Sequence, residues 1–372
     1  MRILFLPAPA IGHAYPMVPL AWACRAAGHE VAFAASGDAV AVAQAGLAVL
    51  DALPGVTSQQ MLFTFVSDAP ELFRPFEGDP AADMARRKPS IVAVWDRYVD
   101  VHLDAAARFA ADLIISDSVF AVGLLAGAVH HVPVISFDVG IVRFGPDLVR
   151  ELPAGVAFRR HGVAVPDNVQ TIGIAPDALA DDKPPPGIAM RFVPYNGGAA
   201  VPGWAWQPGD RPRIIVSAGS LLPGSAAPEL LGRIARIATQ VDAEFVVTLG
   251  QAGAAAAAGL PANVRVTGWL PLHTILPTTT AVIHHGGDGT TLTCAALGVP
   301  QIVVPEGPQR VLNAEITRRR GVARVFSEFP GATAIKALLQ DDEARAAAAG
   351  LRAEIAALPA PAEVAARLTE LF

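Results

Sequence analysis

Eight consecutive residues, His284-His285-Gly286-Gly287-Asp288-Gly289-Thr290-Thr291, follow a short apolar run and lead into the stretch ending at Leu297. Glycines 286, 287 and 289 let a backbone approach a ligand closely, and a helix starting at Thr290 and Thr291 aims its N–H groups and dipole at an anion. His285, at the end of the apolar run, adds a side-chain donor for a phosphate oxygen. These pieces predict a diphosphate cradle. A metal site built from His284, His285 and Asp288 is the competing reading, but three ligands in so tight a turn are hard to point at one ion. The pair Gly12-His13, in the loop "APAIGHAYP", is a second candidate. A dinucleotide-binding enzyme carries G-x-G-x-x-G in such a loop; only Gly12 is present, so an NAD oxidoreductase lacks its main support.

The flanking elements explain why these loops matter. Ile3–Pro7 reads as a strand buried on both faces, Met17–Ala27 as a helix stopped by Gly28, and Val31–Ala35 as the next strand. "DLIISDS" at 112–118 followed by "VFAVGLLAGAVHHVPVISF" repeats that order. A second series begins at "RIIVSAGS" and runs through a helix near 226–240, "EFVVTLG", "VRVTGWLP", "AVIHHGG", a helix near 290–297 and "QIVVP". Both series predict parallel sheets wrapped by helices, whose ligands bind beyond the carboxyl ends of the strands. Between them "DDKPPPGIAM" and "RFVPYNGGAAVPGWAWQPGDRPR" are dense in proline and glycine, as a hinge or linker is. Residues 56–100 carry Phe63, Phe65, Phe73, Phe76, Trp95 and Tyr98 among prolines and charges, either a lid over an apolar ligand or a loop packed on the core.

Composition excludes several classes. A chain of 372 residues predicts two domains with a core in each. Hydrophobic residues make up 52% and charged ones 17%, yet no apolar run approaches the about 20 residues of a membrane-spanning helix. A net charge of −6, with no basic cluster beyond Arg318-Arg319-Arg320, argues against a nucleic-acid partner. Cys24 and Cys294 lie far apart and fit reduced thiols in a cytoplasmic protein. Pro7 and Pro9 interrupt the N-terminal apolar stretch, which continues directly as helix and strand and so argues against a secretory signal. The apolar composition permits a homodimer without requiring one.

The block "VRVTGWLPLHTILPTTTAVIHHGGDGTTLTCAALGVPQIVVPEGPQRVLNAE", with "GHAYPMVPLAWACRAAGHEVAFA" and "RFVPYNG...RPRIIVSAGS", resembles the antibiotic and natural-product glycosyltransferases of the GT-B fold. The resemblance spans nearly the whole chain. It implies an α/β architecture of two Rossmann-like, doubly wound domains facing a cleft: an acceptor-binding domain over 1–195, a linker over 196–212, and a donor-binding domain over 213–357. A C-terminal helix from about 358 to 372 is expected to pack back on the first domain. The implied reaction is inverting transfer of a sugar from a dTDP- or UDP-sugar to a small lipophilic aglycone, without metal or cofactor other than the nucleotide sugar.

Residue by residue, the resemblance implies His13 as general base and Asp117 as the carboxylate that orients it. Trp269 and Leu270 resemble the loop that packs on the nucleotide base; Ser217, Gly219 and Ser220 resemble the small-residue loop beside the phosphates. His285, Gly286, Gly287, Gly289, Thr290 and Thr291 resemble the diphosphate motif, and Gln309 and Asn313 the element that reaches the sugar and supports the loop. Pro308 stands where the family commonly has an aspartate before the glutamine, which points to a donor with fewer hydroxyls, such as a deoxysugar. Phe63, Phe65, Phe73, Phe76, Trp95 and Asp138 are candidates for the acceptor site, and Arg143 is a further one. Asp117 also reads as a helix cap, and His13 as a buried histidine satisfied by backbone. A nucleotide-sugar epimerase and a non-catalytic helper protein on the same fold are the alternatives; the helper predicts an eroded donor loop.

Overall fold

The computed structural model describes residues 1–74, 78–79, 82–83, 85–87, 89–90, 98–120, 122–143, 155–167, 169–179, 187–217, 219, 227–249 and 259–371. At positions 62, 65, 73, 156 and 308 the backbone alone is described. Phe76, Trp95 and Ser220 therefore lie outside the described residues, as do the side chains of Phe65 and Phe73. The chain divides into two compact units, Met1–Gly197 with Ala357–Phe372, and Gly198–Ala356.

The first unit holds a parallel sheet of β1 (Arg2–Leu6), β2 (Glu30–Ala35), β3 (Ala48–Asp51), β4 (Leu113–Asp117), β5 (Val134–Asp138), β6 (Gln170–Gly173) and β7 (Ile188–Ala189), in the order β3-β2-β1-β4-β5-β6-β7. Ile3 to Leu6 and all of β4 are buried, as central strands covered on both faces must be. The winding reverses between β1 and β4, which pair with Leu6 opposite Ser116. The loops that leave these two strands are therefore neighbours at the switch point of the sheet.

Helices α1 (Ile11–Ala14), α2 (Val18–Ala26), α3 (Ser58–Asp68), α4 (Val99–Phe109), α5 (Val122–His130) and α6 (Gly155–Arg160) follow in chain order. Helix α2 buries Val18, Leu20, Ala21 and Cys24 and is followed by Gly28 at φ 92°. Helix α5 lies so close to the sheet that a Cβ on Gly123 would sit 2.0 Å from Ser116 Oγ, and one on Gly127 2.0 Å from Val134 Cγ2. Only glycine admits that approach, and it seats the helix directly behind the Asp117 loop.

The second unit holds β8 (Arg213–Ser217), β9 (Glu244–Thr248), β10 (Val264–Thr267), β11 (Ala281–His284), β12 (Gln301–Val303) and β13 (Ala323–Val325), parallel in the order β10-β9-β8-β11-β12-β13. Its helices are α7 (Ala227–Ala238), α8 (Leu272–Ile275), α9 (Asp288–Leu297), α10 (Pro308–Arg319), α11 (Ala332–Leu339) and α12 (Asp342–Ala356). Ile214, Val216, Phe245, Val247, Ile283 and Ile302 lie in one apolar cluster against α7. Within the expected linker, Gly203–Trp206 forms a tight turn with Ala205 fully buried. The Trp204 ring lies 4.4 Å from the Arg265 guanidinium, and buried Arg213 binds Glu244 at 2.8 Å and Thr278 at 2.6 Å. That segment is thus packed on the second unit rather than free, because Trp204 offers an aromatic face to two arginines.

The final helix, α13 (Pro361–Leu371), packs on α2 in the first unit. The Arg191 N–H donates to Pro359 O at 2.7 Å, and Thr369 Oγ1 lies 3.0 Å from His29 Nε2. Among the described residues no helix is long and apolar enough to cross a membrane.

Candidate functional site

In the first unit the loop after β1 turns at once into α1, which carries His13. Asp117 ends the adjacent strand β4 with its side chain fully buried. The two meet: His13 Nδ1 lies 2.7 Å from Asp117 Oδ2. The carboxylate also accepts the Ala8 N–H at 3.2 Å and the Val119 N–H at 3.0 Å. A carboxylate can only accept hydrogen bonds. Nδ1 must therefore carry the proton, and the neutral ring has its lone pair on Nε2. With 27% of its side chain exposed, His13 is not a buried histidine satisfied by backbone alone. Asp117 also caps the following turn through the Val119 N–H.

Asp138 ends β5, next to β4, and is buried. Phe63 on α3 is 68% exposed. Arg143 is buried and paired with Asp177 at 2.7 Å, which ties it to the scaffold. His102 is also structural: buried, with Nδ1 2.7 Å from Tyr98 O and Nε2 3.2 Å from Ser36 Oγ.

In the second unit β11 pairs with β8, placing His284 opposite Ser217. His285 follows, its imidazole held by absent side chains: a Cβ on Gly219 would fall 2.5 Å from its Cε1, and one on Gly287 2.6 Å from its Nε2. Gly219 and Gly286 also have positive φ, 78° and 88°, where other residues are strained. Burial, the neighbouring Arg310 charge and His284 push His285 down to about 3, against a backbone hydrogen bond at Ser217. The ring is neutral at physiological pH and offers an N–H, not a positive charge. Its Nδ1 is buried with no hydrogen-bond partner among the described residues.

Helix α9 starts at Asp288 with Gly287 as its cap, two residues ahead of the start expected at Thr290. The first intrahelical bond is Thr291 N–H to Gly287 O, so among the described residues the N–H groups of Gly289 and Thr290 have no helical acceptor. Among the described residues a Cβ on Gly289 would meet nothing within 4 Å. Thr291 is buried and its hydroxyl donates to Gly287 O at 2.9 Å, so it braces the turn and does not face the opening.

Asn313 takes the loop-supporting part of its expected role. It is fully buried, with Nδ2 donating to Gly286 O at 3.0 Å and to Asp288 Oδ1 at 3.1 Å, and so supports the loop. Gln309 donates from Nε2 to Asp288 Oδ2 at 2.7 Å. Leu270 is buried with Ile275 and Val282, so its side chain belongs to the core, whereas Trp269 beside it is 42% exposed, as a stacking surface requires. Ser217 closes β8 and is buried.

Sequence reasoning missed three residues. His284, considered only as a metal ligand, accepts the Gly286 N–H at Nδ1 (3.1 Å) and faces Gln301 Oε1 through Nε2 (2.8 Å). Burial pushes it down to about 4, keeping it neutral, and both ring nitrogens serve the loop's geometry. Asp288 collects Gln309 and Asn313; its position in the first helical turn was the available signal. The third, Arg310, carried none. Among the described residues no group of three His, Cys, Asp or Glu side chains could hold a metal.

Two parallel Rossmann-like units, one with a carboxylate-held histidine at its switch point and one with a glycine-rich helix start, define a glycosyltransferase of the GT-B fold. Comparison with known proteins agrees. The chain is 37% identical to the elloramycin glycosyltransferase ElmGT of Streptomyces olivaceus, over 100% of this chain and 98% of that one. The crystal structure of the glycosyltransferase SnogD from Streptomyces nogalater superposes with a TM-score of 0.83, at 35% identity over 100% of both chains. SsfS6 from Streptomyces sp. SF2575, complexed with thymidine diphosphate, has a TM-score of 0.79 at 28% identity, over 100% of both chains. Family profiles described as Erythromycin biosynthesis protein CIII-like match its N-terminal domain to residues 22–219 and its C-terminal domain to residues 232–371. The chain belongs to this Erythromycin biosynthesis protein CIII-like family of antibiotic glycosyltransferases.

Proposed function

We propose that the enzyme moves a sugar, a deoxysugar by the Pro308 departure, from a dTDP- or UDP-linked donor to a hydroxyl of a small lipophilic natural-product aglycone. The observation that carries this reading is the 2.7 Å bond from His13 Nδ1 to buried Asp117. His13 Nε2 takes the acceptor proton as the acceptor oxygen attacks C1 of the sugar, the bond from C1 to the diphosphate oxygen breaks with its electron pair going to the diphosphate, and the anomeric configuration inverts. Asp117 fixes the tautomer and stabilises the imidazolium, the division of labour known from hydrolase triads. General-base help of this kind contributes about 100- to 10,000-fold.

The second unit takes the donor. Trp269 stacks on the base; Ser217, Gly219, Gly286, Gly287 and Gly289, together with the N–H group of Thr290 and the ring of His285, receive the diphosphate. Gln309 reaches the sugar. Exposed Phe63 and buried Asp138 contribute to the acceptor side. A relative's complex with thymidine diphosphate supports dTDP as the nucleotide. The reaction uses no metal and no cofactor besides the nucleotide sugar, and proceeds in the cytoplasm.

Calorimetric titration of dTDP, UDP and GDP into the wild type and His285→Ala tests the donor half. Selective binding of one pyrimidine diphosphate, weakened in the variant, is expected; no binding of any diphosphate would overturn the reading. NMR of the anomeric proton in the product then reports inversion or retention.

A further inference from the structure

The donor reading gives no role to Arg310, a cation of the second unit. Arg310 lies in the first turn of α10, and its backbone closes the rear of the diphosphate loop: a Cβ added to Gly286 would meet Arg310 O at 3.0 Å and Arg310 Cβ at 3.3 Å. Glycine at 286 is what lets the two segments touch. The Arg310 side chain is partly buried, and among the described residues it makes no hydrogen bond or ion pair. A guanidinium stays charged at every relevant pH, so withdrawing it from water costs free energy unless an anion faces it.

Three groups of the loop register its charge. His285 is pushed down by it, while Asp288 and Glu306 favour the charged state of Arg310 against its burial. The cation is therefore within charge range of His285, Asp288 and Glu306, on a residue whose backbone packs against Gly286, one position from the buried His285 ring. The two carboxylates lend it partial compensation from a distance without pairing with it.

We propose that Arg310 is the counter-cation of the donor's diphosphate, pairing through its guanidinium with the phosphate oxygens of the bound nucleotide. This inference rests on the transferase reading and adds to it a binding residue for the phosphates. Guanidinium matches phosphate oxygens through two parallel N–H bonds. It also supplies the full positive charge that neutral His285 cannot. When the bond from C1 to the diphosphate oxygen breaks, negative charge builds on the leaving group, and a fixed cation there favours the transition state over the ground state.

The test titrates thymidine, dTMP and dTDP into the wild type, Arg310→Lys and Arg310→Gln, with melting temperatures recorded for each. Arg310→Gln should weaken dTDP by about tenfold or more, the loss expected for one charge-assisted contact. Thymidine affinity should stay within about twofold, the Lys variant should recover part of the loss, and binding in the Gln variant should respond less to added salt. The His285 ring signals should also titrate at higher pH in the Gln variant, since the opposing charge is gone. dTDP binding within about twofold of wild type would overturn the proposal, as would equal losses for thymidine and dTDP with a lowered melting temperature. Failure of the wild type to bind any nucleoside diphosphate would instead overturn the transferase reading itself.

Discussion

The carboxylate of Asp117 holds the ring of His13 by Nδ1 at 2.7 Å, and is itself held by the backbone N–H groups of Ala8 and Val119. The arrangement is local to two adjacent strand ends yet joins residues 104 positions apart in sequence. Parallel pairing of β1 with β4 makes that possible, since it fixes which loops share the switch point.

Asp117→Asn is the most discriminating change to this pair. The amide keeps the shape but can donate to Nδ1, moving the ring proton to Nε2, where it blocks acceptance. Turnover should fall by about 100- to 10,000-fold, as for loss of the base itself. Nucleotide affinity should hold, because no donor contact is altered. Steady-state kinetics beside dTDP calorimetry checks this; unchanged turnover would leave Asp117 as a helix cap only.

Gly287→Ala addresses the donor loop. The new Cβ would fall 2.6 Å from His285 Nε2, inside the closest approach of real atoms, so the ring or the cap must move. Weakened dTDP binding is expected while circular dichroism and the melting transition stay near wild type. Gly219→Ala should do the same more severely, because φ at 78° adds backbone strain.

Much of this was legible in the sequence, for physical reasons that can be named. Buried strands such as "DLIISD" and "AVIHHGG" are short apolar runs ended by small or polar residues, and glycine beside histidine marks a turn with chemistry in it. What stayed hidden depends on packing across strands. His284 and His285 are neighbours of one residue type, yet one faces Gln301 and the other lies between two glycines; strand alternation separates them, and only the partner strand shows which does what. Asn313 reads like a ligand from its type, but α10 turns it inward onto Gly286 O. Leu270 and Trp269 differ in the same way, one buried and one exposed. The helix start moved from Thr290 to Asp288 because Gly287, with no side chain to cap, still adopts the extended cap conformation.

Asn313→Ala should destabilise the second unit by about 1 to 3 kcal/mol, since Gly286 O and Asp288 Oδ1 both lose a buried donor. Urea unfolding measures the loss. dTDP affinity should drop as well, because the loop is then left to His284, Thr291 and Gln309; full stability and full affinity together would contradict the support role.

Acid should weaken the fold through the two loop histidines. His284 is held down to about 4 and His285 to about 3, both below the ordinary 6.5 that they regain on unfolding. Above pH 6.5 both are neutral in either state, and their full contribution to stability is present. As pH falls below 6.5 the unfolded chain takes up protons that the folded chain refuses. Each histidine then costs about 1.4 kcal/mol per pH unit, levelling off near its own folded value. Unfolding free energies at pH 7.5, 6 and 5 should decline accordingly, and His284→Gln should flatten the slope. A slope unchanged by that substitution would show His284 protonated in the folded loop.

The most direct measurement is turnover and dTDP affinity of His13→Ala side by side at pH 7.5. A general base acts in the transition state, so turnover should fall by at least ~100-fold with dTDP affinity held within about twofold. Turnover near wild type, or a loss of dTDP affinity as large as the loss of turnover, would contradict the assignment of His13 as the base.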